Sequence, residues 1–337
     1  VEDRGSEVLR GHLSQIEERL LVGVDVRGYY YWSYIDNYEW NHGFDLRFGL
    51  YALDLETKKS YRTPPQINRG YSPPKSESLS LSLGVEQASR MNDFFEAFNI
   101  GASAATYPHM AQLPQPDYAE NLWPAVEGFQ TQVEAYFAEA ARVARVMTRI
   151  FADALGLDPE FFASRTDHSL DVMRMNNYAL PPGTDVTLDG DLIGMGEHTD
   201  YGIVTILWAD QVKGLQVLGA DGSWNDVAPA DDALLINLGD ITARWTNERW
   251  TSTLHRVKPP VINGTIERRR SAAFFHDGNV DAMIETLAAC VDAEHPDLYE
   301  PVTVGEHIAA KLAGSRAGVR NASATRESAR VLASRRY

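Results

Sequence analysis

Two histidines and one aspartate in the second half of the chain have the types and spacing of a metal site. His198 and Asp200 stand two residues apart at the start of a β-branched stretch, so on a strand their side chains would point to the same side. His255 lies in a second strand-like segment, STLHRV at 252–257. Two imidazoles and one carboxylate leave three adjacent positions of an octahedral ion open. We therefore take His198, Asp200 and His255 as candidate metal ligands and candidate catalytic residues.

The spacing of one His-x-Asp triplet carries little weight by itself, because the chain contains a second one at 295–297. That second triplet, His295-Pro296-Asp297, lies in a Pro-containing polar segment, where we expect a loop between helices and not a strand. The triplet at 198–200 differs because a buried strand and a second histidine come after it. We do not expect His295 to bind the metal.

A cation and a hydroxyl follow the second histidine by fourteen and sixteen residues. Arg269 and Ser271 begin the apolar strand SAAFF and alternate, so they should face the same side. The open positions of Fe(II) in such a triad can take a bidentate 2-oxo acid and then O2. The distal carboxylate of a 2-oxo diacid would need a fixed guanidinium and could accept a hydrogen bond from the hydroxyl. Arg269 and Ser271 are therefore candidate cosubstrate-binding residues.

These motifs, taken in order, resemble a known family over about residues 68–313. The chain is similar to the isopenicillin N synthase-like family of 2-oxoglutarate/Fe(II)-dependent dioxygenases. The matching motifs are HTDYG at 198–202, GLQV at 214–217, NLGD at 237–240, WTN at 245–247, STLHRV at 252–257, Arg269-x-Ser271 and RMNNY at 174–178.

The resemblance implies a fold, a set of cofactors and an activity. The fold would be mainly β with flanking helices, a double-stranded β-helix (jelly-roll) barrel backed by a long helix. The cofactors would be Fe(II), 2-oxoglutarate as cosubstrate, and O2. Asn176 and Tyr178 would lie beside the cosubstrate. The reaction would couple oxidative decarboxylation of 2-oxoglutarate to oxidation, expected to be hydroxylation, of a small organic substrate. The family pattern R-L-N-Y-Y has Asn177 in place of an aromatic residue here, which is expected to change the polar pattern of the pocket.

Hydrophobic periodicity agrees with helices around a β core. Apolar residues recur at steps of three and four from 124 to 155 and predict one long amphipathic helix. From Val172 onward, short β-branched runs separated by Gly, Pro, Asn and Asp are typical of a sandwich or barrel. A further helix is predicted over about 304–312. The last 24 residues contain six arginines and one glutamate, and we expect a solvated basic tail.

The first 64 residues differ from the remainder. A helix pattern ends near Gly23 and is followed by the aromatic strand VRGYYYWSYI and by Glu39 and Trp40. This stretch resembles the C-terminal end of a family 1 β-glucosidase, a TIM-barrel enzyme in which Trp32, Glu39 and Trp40 would line a sugar subsite. Retaining glycoside hydrolysis needs two facing carboxylates, and the resemblance places the catalytic pair upstream of this stretch. We expect a helix–strand fragment of TIM-barrel type without glycosidase activity.

The motifs and the periodicity predict four parts of the chain. The expected domains are 1–64, the glycosidase-like fragment; 65–171, a junction and helical support; 172–313, the jelly-roll core and closing helix; and 314–337, the basic tail.

Composition limits the remaining possibilities. A net charge of −16 disfavours a nucleic-acid surface. One cysteine excludes an internal disulfide and a multi-cysteine metal site. No apolar run is long enough for a membrane span, and no signal sequence is recognisable, so a cytoplasmic protein with a small-molecule substrate is expected. The oligomeric state is left open.

Two other functions fit the same residues. A cosubstrate-free iron oxidase of the isopenicillin N synthase type would use the metal triad without 2-oxoglutarate, and release of succinate separates the two. An inactive fusion that retains only a sugar-binding remnant is the third reading.

Overall fold

The structure is a computed structural model that describes residues 53–85, 94–179, 194–228, 230, 233–258, 261–262 and 265–334. The chain divides into two compact units, residues 1–54 with 124–136 and residues 55–123 with 137–337. The first unit has few described residues, 53–54 and 124–136, and the latter include the start of a long helix. The expected TIM-type fragment, with Trp32, Glu39 and Trp40, therefore lies outside the described residues. The site and the contacts below belong to the second unit.

Helices flank the β core as the periodicity predicts. Within the described ranges, the α-helices are α1 Leu55–Lys59, α2 Leu79–Ser82, α3 Phe129–Leu155, α4 Asp240–Trp245, α5 Val304–Ala317 and α6 Thr325–Ser334. None of these helices is long and apolar enough to cross a membrane.

The strands form two main antiparallel sheets, which confirms the expected mainly-β architecture. In the described part of the chain they are β1 Gly70–Ser72, β2 Glu96–Gly101, β3 Val172–Tyr178, β4 Met195–His198, β5 Val204–Ala209, β6 Leu215–Leu218, β7 Trp224–Asp226, β8 Leu235–Leu238, β9 His255–Val257, β10 Val261–Ile262, β11 Thr265–Ile266, β12 Arg269–His276, β13 Met283–Ile284 and β14 Val302–Thr303. The major sheet has the order β1-β2-β3-β12-β5-β8, and the minor sheet has the order β4-β9-β6-β7. Strands distant in sequence are neighbours in both sheets, as in a jelly roll.

Alternation along β3 and β12 separates the core from the site. Met173, Met175 and Phe274 are almost fully buried, and Phe274 packs edge-to-face on Phe137 of α3 with ring centroids 5.0 Å apart. Residues of the other parity point to the opposite face of the sheet. The long helix thus packs against one face of the major sheet, and the candidate site residues of β3 and β12 lie on the other face.

The structure differs from the sequence expectation in the segment 65–171. Two strands, β1 and β2, lie in this segment and extend the major sheet beyond β3. The Pro- and Ser-rich composition of 64–84 hid the three-residue strand Gly70–Ser72, because so short a strand has no measurable period. The segment thus contributes sheet strands as well as the helical support that the sequence predicted.

The expectation of a solvated basic tail is wrong for the residues that the structure describes. Helix α6 occupies Thr325–Ser334, and Val331 on it is fully buried. Arg326 makes two hydrogen bonds to Glu248, at 2.9 and 2.7 Å, and Arg330 donates to the carbonyl of Ser252 at 2.7 Å. The arginines are therefore partly used to dock the helix, which a count of charges does not reveal.

Replacing Phe274 by alanine should lower the free energy of unfolding by about 3–5 kcal/mol, because a fully buried ring is lost between the major sheet and α3. Urea unfolding followed by fluorescence measures the change. The control is Val146→Ala on an exposed part of α3, which should change stability by less than about 0.5 kcal/mol. Equal effects of the two substitutions would contradict the packing described here.

Candidate functional site

The structure brings His198, Asp200 and His255 together at the end of the minor sheet. His198 ends β4, His255 begins β9, and the two are paired across the antiparallel ladder. Their ring centroids are 4.2 Å apart, and His255 Nε2 lies 3.6 Å from Asp200 Oδ1. One ligand atom from each of the three residues lies within 4.8 Å of the others. Asp200 follows the strand rather than lying on it, but its side chain still joins the pair of histidines.

Backbone carbonyls fix the orientation of both imidazoles. His198 Nδ1 lies 2.7 Å from the carbonyl oxygen of Gly196, and His255 Nδ1 lies 2.9 Å from that of Thr253. A carbonyl oxygen only accepts, so Nδ1 must carry the proton and Nε2 is left with its lone pair. Burial, reinforced by His255, holds the pKa of His198 well below its ordinary value. The neutral tautomer with a free Nε2 is the form that binds metal ions.

Asp200 is oriented by two neutral donors from the major sheet. Thr205 Oγ1 donates to Asp200 Oδ2 at 2.7 Å, and Asn237 Nδ2 donates to the same oxygen at 2.6 Å. These contacts leave Oδ1 on the side of His255. Two imidazole nitrogens and one carboxylate oxygen thus converge, and this donor set suits Fe(II).

The segment after Asp200 is fixed by close contacts with the start of α4. The backbone N–H groups of Asp240 and Ile241 donate to the carbonyls of Asp200 and Gly202, at 2.9 and 3.0 Å. A Cβ on Gly202 would lie 2.1 Å from an oxygen of Asp277, and one on Gly239 would lie 2.1 Å from the carbonyl oxygen of Gly202. Gly239 is required by this approach of two backbones, and Gly202 is required by its close packing on His276 and Asp277.

A buried ion pair stands directly behind the metal-binding segment. Lys311 of α5 contacts Asp240 at 2.6 Å, and both side chains are almost fully buried. Thr199, between the two candidate ligands, donates to Asp240 at 3.1 Å and accepts from Lys311 at 3.5 Å. Burial disfavours both charges, but the mutual attraction still raises the pKa of Lys311 and lowers that of Asp240.

The candidate cosubstrate residues lie side by side on β3 and β12. Arg269 is paired with Tyr178 and Ser271 with Asn176 across the ladder. Arg269 is 2% exposed, its guanidinium lies 5.3 Å from the centre of the Tyr178 ring, and its Nε has no hydrogen-bond partner. Asn176 Nδ2 donates to Ser271 Oγ at 3.4 Å. Across the described residues, no carboxylate forms an ion pair with Arg269, so a buried cation faces the cavity with unused donors.

Asn177 does not contribute to the cavity, contrary to the expectation from the altered R-L-N-Y-Y pattern. It points to the other face of the sheet, where it donates to Glu96 at 2.8 Å and accepts from Arg268 at 3.0 Å. Arg270 shares that outward parity and contacts Asp210 at 3.3 Å. The change from an aromatic residue to asparagine therefore alters the outer face and leaves the polar pattern of the cavity unchanged.

One cavity of about 330 Å³ connects these groups. It is lined by all seven candidate residues, by apolar side chains of both sheets, and by a polar group near β1 and β2. The sequence analysis did not identify Thr205, Asn237, Asp240 or Lys311 as parts of the site. The NLGD motif contains Asn237 and Asp240, so their position in the motif was a usable signal. Thr205 and Lys311 carry no such signal.

Two family models match the chain. Residues 170–278 match the 2OG-Fe(II) oxygenase superfamily, and residues 3–72 match glycosyl hydrolase family 1. Both resemblances seen in the sequence are thereby confirmed. The second match ends at Ser72, eight residues beyond the boundary that we expected.

Curated relatives cover most of the chain. It is 31% identical to the clavatol oxidase of Penicillium crustosum over 287 residues, 81% of each protein. It is 33% identical to a 2-oxoglutarate-Fe(II) type oxidoreductase of Emericella nidulans over 267 residues, 77% of this chain and 72% of that protein.

Solved structures show the same fold. A full-length Neurospora crassa protein, solved in complex with alpha-KG and thymine, is 28% identical, with a TM-score of 0.65 and coverage of 78% of this chain and 80% of that one. A 2OG-Fe(II) oxygenase family protein from Caulobacter crescentus is 31% identical, with a TM-score of 0.63 and coverage of 78% and 81%.

Replacing Lys311 by methionine should reduce the free energy of unfolding by about 3–5 kcal/mol, because the carboxylate of Asp240 stays buried without its cation. Adding Asp240→Asn should recover part of the loss, since the stranded charge is removed. A double-mutant cycle from urea unfolding measures the coupling. Strictly additive effects would show that the pair is not coupled.

Proposed function

The chain belongs to the 2OG-Fe(II) oxygenase superfamily, and from this premise we propose that its cavity hydroxylates a small organic substrate with the seven candidate residues in defined roles. The protein is a 2-oxoglutarate- and Fe(II)-dependent oxygenase, and its cofactors are Fe(II), 2-oxoglutarate and O2. The observation that carries the assignment of roles is the pairing of a His-Asp-His cluster with an unpaired buried guanidinium in one cavity.

In this proposal His198, Asp200 and His255 hold the iron. The backbone carbonyls that accept from both Nδ1–H groups support it, because each ring then offers Nε2. The two hydrogen bonds to Asp200 Oδ2 support it too, because they leave Oδ1 available. Thr205 and Asn237 act as positioning residues for that carboxylate.

Arg269 and Ser271 take the distal carboxylate of 2-oxoglutarate, with Tyr178 and Asn176 beside it. A guanidinium can bind a carboxylate with two parallel hydrogen bonds, and the orphaned Nε of Arg269 fits such a pairing. The guanidinium carbon lies 5.3 Å from the centre of the Tyr178 ring, within the range of a cation–π contact. Apolar side chains of both sheets, including Leu207 and Leu215, exclude water from the space between this anchor and the metal cluster.

When bound, Fe(II), 2-oxoglutarate and O2 supply the oxidising power for C–H hydroxylation, with 2-oxoglutarate converted to succinate and carbon dioxide. The chain's own contribution is positional: it orients the three ligands, anchors the cosubstrate and shields the cavity. The Neurospora crassa protein binds thymine and 5-formyluracil, which supports a small organic substrate here as well.

The cosubstrate-free oxidase is the weaker alternative. It gives no role to a buried arginine without an ion pair, and the full-length Neurospora crassa protein was solved with alpha-KG. The reading as an inactive fusion with a sugar-binding remnant rests on residues outside the described ranges and stays a prediction.

Replacing His198 or Asp200 by alanine should weaken Fe(II) retention about 100-fold or more, because two ligands hold this labile ion poorly. Iron content after anaerobic gel filtration measures the effect. His295→Ala is the matched control: its ring is exposed and paired with Asp292, and it should retain wild-type iron. Normal iron in both site variants would remove these residues from the metal site.

Replacing Arg269 by lysine should weaken 2-oxoglutarate binding by about 1–3 kcal/mol, because the charge remains but the planar fork is lost. Anaerobic titration of the weak visible band of the Fe(II)–2-oxoglutarate complex measures the affinity, and iron retention should not change. Arg270→Lys, on the outer face, should leave the titration unaltered. If Arg270→Lys were the damaging change, the proposed anchor would be wrong.

A further inference from the structure

The cavity has a second polar end, well separated from the cosubstrate anchor. On β3, Arg174 is paired with Ala273 of β12, four residues along the strand from Arg269, which corresponds to about 13 Å. Arg174 is also paired with Asn99 of β2, so the two side chains are neighbours on the inner face. With Glu77, Asn68 and Arg316 they form a group that we call the β2 corner, and all five line the same cavity as the metal cluster.

A carboxylate oxygen in the β2 corner lacks a donor. Glu77 is almost fully buried, and its Oε2 accepts from Arg174 at 2.9 Å. Its Oε1 has no hydrogen-bond partner, and the nearest guanidinium nitrogen of Arg316 is 3.9 Å away. Although burial disfavours the charge, Arg174, Arg316 and the hydroxyl of Ser72 hold the pKa of Glu77 below its ordinary value. An ionised carboxylate therefore presents a free acceptor.

An amide oxygen beside it lacks a donor as well. Arg316 Nη1 donates to Asn68 Oδ1 at 3.4 Å, and because a guanidinium only donates, the orientation of the Asn68 amide is fixed. Asn99 must then present its NH2 to that oxygen, at 2.7 Å. The Oδ1 of Asn99, in a fully buried side chain, is left without a partner. Buried acceptors without partners are rare in folded proteins and point to a missing donor.

From these two oxygens we infer that the β2 corner binds the substrate to be oxidised, and that this substrate is a small neutral heterocycle with an amide or imide edge. Its N–H group donates to Glu77 Oε1 or Asn99 Oδ1, and its carbonyl accepts from Arg174. This inference rests on the proposed function, because it assigns the opposite end of the cavity to 2-oxoglutarate.

The two free acceptors favour a ligand with N–H donors over an acid. A carboxylate only accepts, so a substrate that bound through one would leave Glu77 Oε1 and Asn99 Oδ1 without donors. Arg174 uses Nε for Asn176 and Nη2 for Glu77, so further N–H groups of the guanidinium are left for a carbonyl. The corner and the metal cluster line the same cavity, so a ligand held by the corner can reach the cluster.

The test uses the full chain loaded anaerobically with Fe(II) and 2-oxoglutarate, and three probes in equilibrium dialysis. Uracil carries the imide edge, 1,3-dimethyluracil has the same ring without N–H donors, and orotate adds a carboxylate. We expect uracil to bind about tenfold or more tightly than either analogue, the factor for one lost hydrogen bond of about 1.4 kcal/mol.

Two variants locate the binding to the β2 corner. Glu77→Gln and Asn99→Ala should each weaken uracil binding about tenfold, while the visible band of the Fe(II)–2-oxoglutarate complex stays unchanged and shows that the barrel is folded. Glu96→Gln is the matched control. Glu96 is also a largely buried acid in an ion pair, in this case with Lys58, but its side chain lies on the outer face of β2. It should bind uracil as the wild type does.

The possible results separate the two proposals. If no visible band forms in the wild type, the proposed function fails. The dialysis still tests independently whether the β2 corner binds uracil. If the band forms but uracil does not bind, or binds no better than 1,3-dimethyluracil, the substrate class is wrong. If Glu77→Gln weakens 2-oxoglutarate and leaves uracil unchanged, the corner belongs to the cosubstrate and the inference is overturned.

Discussion

The cost of burying charge is the constraint on which the site depends. The barrel contains several ionised side chains. The burial of such a charge is very unfavourable unless a partner neutralises it. Lys311 is matched with Asp240, and Arg174 and Arg316 are matched with Glu77. Both sets take a cation from α5, Lys311 in the first and Arg316 in the second. Their positions define what remains unmatched in the cavity.

Among the described residues, Asp200 and Arg269 line the cavity without a side chain of opposite charge paired with them. Asp200 is held by neutral donors, a hydroxyl and an amide, which orient it but do not neutralise it. Arg269 stacks near the Tyr178 ring and has an unsatisfied Nε. A divalent cation at the first position and a dicarboxylate at the second would compensate both charges. The superfamily's own cofactors, Fe(II) and 2-oxoglutarate, have these signs.

The sequence predicts the parts of the site that depend on local periodicity. Arg269 and Ser271, like Asn176 and Tyr178, are two residues apart on one strand, so their common face follows from the alternation of a strand. The same rule, applied to Asn177, would have placed it on the outer face, where the structure has it. Glu77 could not be found in this way. It lies 97 residues from Arg174, in a Ser-rich stretch without periodicity, and only the tertiary fold brings the two side chains together.

The ion pair between Lys311 and Asp240 has a positional explanation rather than an energetic one. A buried ion pair seldom stabilises a protein more than apolar residues of the same volume would, so stability alone does not account for it. The pair instead fixes Thr199, whose hydroxyl donates to Asp240 and accepts from Lys311. Thr199 joins His198 to Asp200, and the backbone of Asp240 also binds the carbonyl of Asp200. Any apolar replacement would free the hydroxyl of Thr199 and loosen the segment between two ligands. Because metal geometry tolerates little displacement, the charged pair is favoured at this point in the fold even at a cost in stability.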